Sequence, residues 1–187
     1  GFSRAGRGKI ANLDDDRYAF AHDTRNTLVH DFCRAVECLR PRAVLIENVT
    51  GMLNLAGTNH ADAVCRRLEL TGYRVKITVL NAAWYGAPQN RERLFIMALA
   101  PGEQLPEGTW FPEPLYQGRS RESSVGQHAL DQAVFTSPES IERHWPSPDC
   151  PLPVTVGEAF DDLPSFTLHL EQEDYRASRD VHNPLKY

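Results

Sequence analysis

An α/β fold is predicted by three observations in the first hundred residues. A short continuous apolar run, Ala43 to Ile46, stops at a carboxylate and an amide, Glu47 and Asn48. Apolar residues at helical spacing lie on both sides of that run. Two more extended runs, Val75 to Val79 and Leu94 to Ala98, follow with no helical pattern between them. Val/Leu/Ile content without polar alternation reads as a strand buried on both faces, as inside a parallel α/β sheet. In such sheets the ligand crevice lies beyond the carboxyl ends of the strands, which is where Glu47 stands.

Residues 1 to 22 are rich in glycine and charge without an apolar period and read as a surface loop. Its Gly6, Gly8 and Lys9 do not complete a phosphate loop, because Ile10 follows the lysine and no strand precedes it. From Asn26 to Arg40, Leu28, Phe32, Val36 and Leu39 follow a helical spacing that Pro41 halts, and Cys33 falls beside this inward stripe. Ala61, Val64, Cys65 and Leu68 mark a second helix from Asn59 to Leu70, with Thr58 or Asn59 as cap and Gly72 as a left-handed stop. Val75, Ile77 and Val79 alternate with Lys76 and Thr78, the pattern of a strand with one wet face. A second strand over Arg91 to Ala98 should pair with it antiparallel, since only a loop joins them.

Beyond Ala100 the texture changes. Eleven of the thirteen prolines follow it, and a sheet cannot continue through that density. Extended segments with one short helix are expected, the helix opening on the Thr155-x-x-Glu158 capping box and ending before Pro164. Trp110, Phe111, Trp145 and Phe166 should pack this tail onto the body. The division is therefore residues 1–100 and a Pro-rich extension, 101–187.

Two stretches carry chemistry. Glu47 ends the central strand, where an acid can either enter solvent or serve catalysis. Further on, Gly86 to Arg93 reads GAPQNRER. If the chain extends after Pro88, Gln89, Arg91 and Arg93 share one face, and two rigid guanidinium forks there suit a planar acceptor or a phosphate.

The ENV of Glu47 to Val49 and the Q-x-R-x-R of Gln89, Arg91 and Arg93 resemble two signature motifs of the DNA cytosine-5 methyltransferases. The opening Gly1, Phe2, Ser3 is similar to the tail of that family's PCQGFS nucleophile loop, and Asp23 to Leu28, DTRNTL, resembles its next motif. Four motifs in the family's order over the first hundred residues make a specific signal. The resemblance implies the C-terminal half of a Rossmann-like methyltransferase sheet ending in an antiparallel hairpin. It implies S-adenosylmethionine as cofactor, bordered by Asn26 and Leu28 chiefly through backbone atoms, and double-stranded DNA as substrate, with Ser3 on a phosphate.

In that chemistry a cysteine thiolate adds to carbon 6 of a flipped-out cytosine, and carbon 5 then accepts the methyl group. Glu47 would bond ring N3 and the exocyclic amine. Arg93 and Arg91 would hold the base's carbonyl oxygen, the flanking phosphate and Glu47 itself; Asn48, which orders the turn, and Gln89 would lie on the substrate-binding side. The Pro-Cys pair, the Gly-rich cofactor motif and the target-recognition domain are absent from these 187 residues, so the chain alone is expected to be inactive. Cys150, between Asp149 and Pro151, is out of motif order and no substitute nucleophile. The alternative is a non-catalytic remnant or subunit that completes a site with a partner chain. The resemblance implies a cytoplasmic, nucleoid-associated protein if bacterial and a nuclear one if eukaryotic.

Composition narrows the classes further. A net charge of −5 disfavours a module that grips nucleic acid by itself, since phosphate neutralisation dominates such affinity. The four cysteines show neither C-x-x-C pairing nor a histidine at zinc spacing, and no apolar run approaches the thickness of a bilayer.

Overall fold

The computed structural model describes residues 28–105, 109–118 and 124–162. In chain order the elements are α1 (Leu28–Leu39), β1 (Ala43–Asn48), α2 (His60–Leu70), β2 (Arg74–Asn81), β3 (Glu92–Leu99), α3 (Val125–Gln132) and a single turn, α4 (Val156–Ala159). The sheet runs β1-β3-β2, and β3 is antiparallel to both neighbours. The β2–β3 hairpin is the pair expected from the sequence. The parallel neighbour expected for β1 is not seen among the described strands.

The register divides the sheet into two faces. Val44, Ile46, Ile77, Val79, Ile96 and Ala98 form the first, packed with Val64, Cys65 and Leu68 of α2 and Cys33 and Val36 of α1 into the main core. Helix α2 starts at Asn59, whose side chain accepts the Asp62 amide, and Gly72 takes φ 92° just past its end. That left-handed turn is open to glycine without a Cβ clash. On α1 the inward stripe is Val29, Cys33 and Val36, while Leu28, Phe32 and Leu39 are exposed. The stripe proposed from sequence is rotated because apolar residues occupy two adjacent helical rows, and spacing alone does not rank them.

The second face explains two more departures. Leu80, Trp84 and Phe111 form a smaller core with Phe95, Met97, Trp110 and Trp145, so the proline-rich tail covers the hairpin from that side. Thr78 and Leu80 are therefore buried, and β2 is wet on this face only toward Arg74 and Lys76. The cover does not enclose β1, whose Leu45 is 59% exposed. The apolar run of β1 is buried on one face rather than on both.

Segment 133–142 straps the first layer. Thr136 donates its amide and hydroxyl to Asp62, Ser137 and Ser140 donate to Glu69, and Glu142 donates its amide to the Ile77 carbonyl beside a parallel bridge to Ile141. The outer edge of β2 is blunted in this way. Helix α3 lies outside the sequence expectation, although Ser124 and Gln127 carry the S-x-x-Q form of a capping box and Ser124 Oγ accepts the Gln127 amide. Residues from Gly157 onward form a separate unit, described to Asp162, in which the Phe160 amide donates to the Gly157 carbonyl. Phe166 and Pro164 lie outside the described residues.

Candidate active site

Glu47 pairs across the ladder with Phe95, so Arg93, two residues from Phe95 on β3, lies on the same face and one diagonal step away. Diagonal neighbours are within reach of long side chains. Arg93 Nε meets Glu47 Oε1 at 3.1 Å, and Arg93 Nη1 donates to the Glu92 carbonyl at 2.7 Å. Glu47 is half-exposed, whereas Arg93 is mostly covered. An ion pair this open to water contributes roughly 0–1 kcal/mol to stability. Its consequence is orientation: the planar fork fixes which way the carboxylate faces.

Asn48, on the opposite face, accepts the Val49 amide at 2.8 Å through Oδ1, and Val49 opens the tight turn Thr50–Leu53. Gln89 and Arg91 are exposed and precede β3, which starts only at Glu92. Strand alternation therefore places Arg93 but does not by itself place Gln89 and Arg91, which lie in the connection before Glu92. Among the described residues Arg91 makes no side-chain ion pair. Leu28 stands exposed in the first turn of α1, while Ser3 and Asn26 lie outside the described residues.

Two neighbours had no role in the sequence reading. Glu92 accepts the Ser124 hydroxyl and, at 2.7 Å, the Gly126 amide, so the residue beside Arg93 holds the start of α3. Gly126 must be small there: a Cβ would lie 2.9 Å from both Thr50 Cγ2 and Val79 Cγ1. Asn81, opposite Glu92 in the ladder, is buried and bonded to the loop that leads to Arg91. A strand-end asparagine carries no distinguishing sequence signal, since it serves ordinary turns equally well.

The profile of the C-5 cytosine-specific DNA methylases matches residues 2–183. The chain belongs to that family. A putative type II methyltransferase of Oceanobacillus iheyensis is 31% identical over 167 residues, 88% of this chain and 36% of the relative. The type II methyltransferase M.AgeI of Thalassovita gelatinovora is 32% identical over 165 residues, 88% of this chain and 33% of the relative. DNA (cytosine-5)-methyltransferase 1 of Rattus norvegicus is 39% identical over 142 residues, 76% of this chain and 8% of that protein. This member of the C-5 methylase family thus spans about a third of the length of the two bacterial relatives. None of its described helices is long and apolar enough to cross a membrane.

Proposed function

We propose that the protein carrying this chain transfers a methyl group from S-adenosylmethionine to carbon 5 of a cytosine flipped out of DNA, with its three-stranded sheet as the end of a Rossmann-like methyltransferase domain. The Glu47–Arg93 contact at the carboxyl end of β1 carries the proposal. Membership of the C-5 methylase family supports the reaction class.

Glu47 bonds the ring N3 and exocyclic amine of the base and delivers the proton that stabilises the carbon 6 adduct. Arg93 holds Glu47 through Nε, and the N–H groups not engaged by Glu47 or the Glu92 carbonyl serve the base carbonyl oxygen. Arg91, exposed ahead of the strand, is suited to a flanking phosphate, with Gln89 beside it. The base must leave the stack to reach this edge. The attacking thiolate is neither Cys33 nor Cys65, because both are buried in the core against the first face, whereas Glu47 lies on the second.

S-adenosylmethionine supplies an electrophilic methyl group when bound. Leu28 fits its border: it is exposed on α1, where the ring of a bound cofactor can rest against it. Asn26 is the second residue assigned to that border.

The test is Glu47→Gln in the complete protein. Methyl transfer to a cytosine-containing duplex should slow by about 10²–10⁴-fold. DNA affinity, read by fluorescence anisotropy, should stay near wild type, and an equal loss of both would contradict the proton role. A second reading, a subunit that completes its site with a partner chain, is favoured by one observation: β1 pairs on one side only among the described residues, with Leu45 exposed.

A further inference from the structure

The segment carrying Arg91 and Arg93 begins as a ten-residue connection, 82–91, between β2 and β3. A loop of that kind has many accessible conformations, yet an arginine fork functions only when its position is fixed. The ladder fixes Arg93 from one side. Asn81 fixes the loop from the other. The residue is 3% exposed, and its Oδ1 accepts two loop amides, Ala83 at 3.0 Å and Arg91 at 3.1 Å. Nδ2 donates to Asn90 Oδ1 at 2.5 Å. The Ala82 amide donates to the Arg91 carbonyl at 3.0 Å, so both ends of the connection are joined at this one point.

An amide side chain meets all three partners as they stand, its oxygen accepting the two loop amides and its nitrogen donating to Asn90. Leaving those amides unmet in a buried place would favour another loop conformation. Asn81 is paired with Glu92 in the ladder, so it faces the helix layer, while Glu47 and Arg93 face the other side. It is placed to act on the arginines without touching a base.

We infer that Asn81 is a positioning residue for methyl transfer, clamping the 82–91 loop so that Arg91 and Arg93 leave it in register with Glu47. The inference rests on the proposed methyltransferase reading and adds a residue to it.

The experiment uses the complete protein and three variants, Asn81→Ala, Asn81→Asp and Asn90→Ala. Single-turnover methyl transfer, corrected for the folded fraction measured by near-UV circular dichroism, should fall about a hundredfold in Asn81→Ala, the scale of loss from a small misplacement of catalytic groups. Asn81→Asp keeps the acceptor for both loop amides, and the Asn90 amide can turn to donate, so it should recover most of the rate. Amide hydrogen exchange gives a readout independent of activity: Ala83 and Arg91 should exchange faster in Asn81→Ala, with β1 and α2 unchanged.

A folded Asn81→Ala protein with wild-type transfer, or with unaltered exchange at Arg91, overturns the inference. So does a loss that follows the folded fraction and is not recovered by Asn81→Asp. Should Asn81→Ala fail to fold, Asn90→Ala decides: faster exchange at the loop with slowed transfer supports the clamp, and no change in either overturns it. If the wild-type protein transfers no methyl group, the parent reading fails, and the exchange result alone then decides whether Asn81 holds the loop.

Discussion

Cysteine chemistry is central to the proposed reaction, and at the scale of single residues the thiols sort by environment. Cys33 is 0% and Cys65 2% exposed. Burial pushes both thiols up, and for Cys65 the Glu69 and Asp62 carboxylates add to the effect. Since the thiolate is the reactive species, neither can serve as a nucleophile or react readily. Cys38 is exposed, and Cys150 is partly covered with Sγ directed at the Pro114 carbonyl. Iodoacetamide at pH 8 should therefore label Cys38 first and reach Cys33 and Cys65 only after unfolding in urea; mass spectrometry of the peptides reads the order. Labelling of native Cys65 as fast as Cys38 would mean that the core opens far more often than its packing implies. The same scale shows what could be read in advance. Glu47 and Arg93 were legible because a strand end and a strand interior fix where side chains point. Arg91 precedes the strand, so alternation alone does not fix its direction.

At the scale of elements, the ties between helices decide the response to acid. Arg67 on α2 grips Glu37 on α1 with both arms of its fork, Nε to Oε1 at 2.5 Å and Nη2 to Oε2 at 2.8 Å, and donates Nη1 to the His30 carbonyl at 3.1 Å. The hydrogen bonds from Arg67 hold the Glu37 carboxyl below its usual range. A carboxyl whose folded value is depressed contributes its stability above the unfolded value, about 4.3 for glutamate, and loses it as pH falls through the folded value. The pair is partly exposed, so water screens it and the contribution is modest. Urea midpoints should hold between pH 7 and 5 and fall below pH 4. Glu37→Gln should start lower at pH 7 and decline less steeply; an acid limb parallel to wild type would show that this tie is not what acid removes. Helices α1 and α2 were both readable from their apolar period and their stops. Which row of α1 faces inward was not, because the choice depends on the partner surface rather than on the helix.

At the scale of the whole molecule, the decisive feature is that the two sheet edges seen among the described residues are treated differently. The β2 edge is closed by segment 133–142 through Ile77 and Ile141, and part of the hairpin's second face is covered by Trp110, Phe111 and Trp145. That aromatic packing was readable in the sequence, since large rings in a proline-rich tail need a surface to cover. The β1 edge is paired on one side only among the described residues, with Leu45 exposed beside it, and no local pattern in Ala43 to Ile46 distinguishes an edge strand from a central one. An unpaired edge with an exposed apolar side chain is a template for another strand. The 187-residue chain should therefore associate increasingly with concentration in sedimentation equilibrium, and Leu45→Lys, which places a charge on that edge, should shift it toward monomer. Both outcomes follow from β1 geometry under either functional reading, but they bear unequally on the two. A wild-type chain that stays monomeric and unfolds in one cooperative transition would remove the reading in which a partner chain completes the site, while leaving the contact between Glu47 and Arg93, and the chemistry proposed for it, untouched.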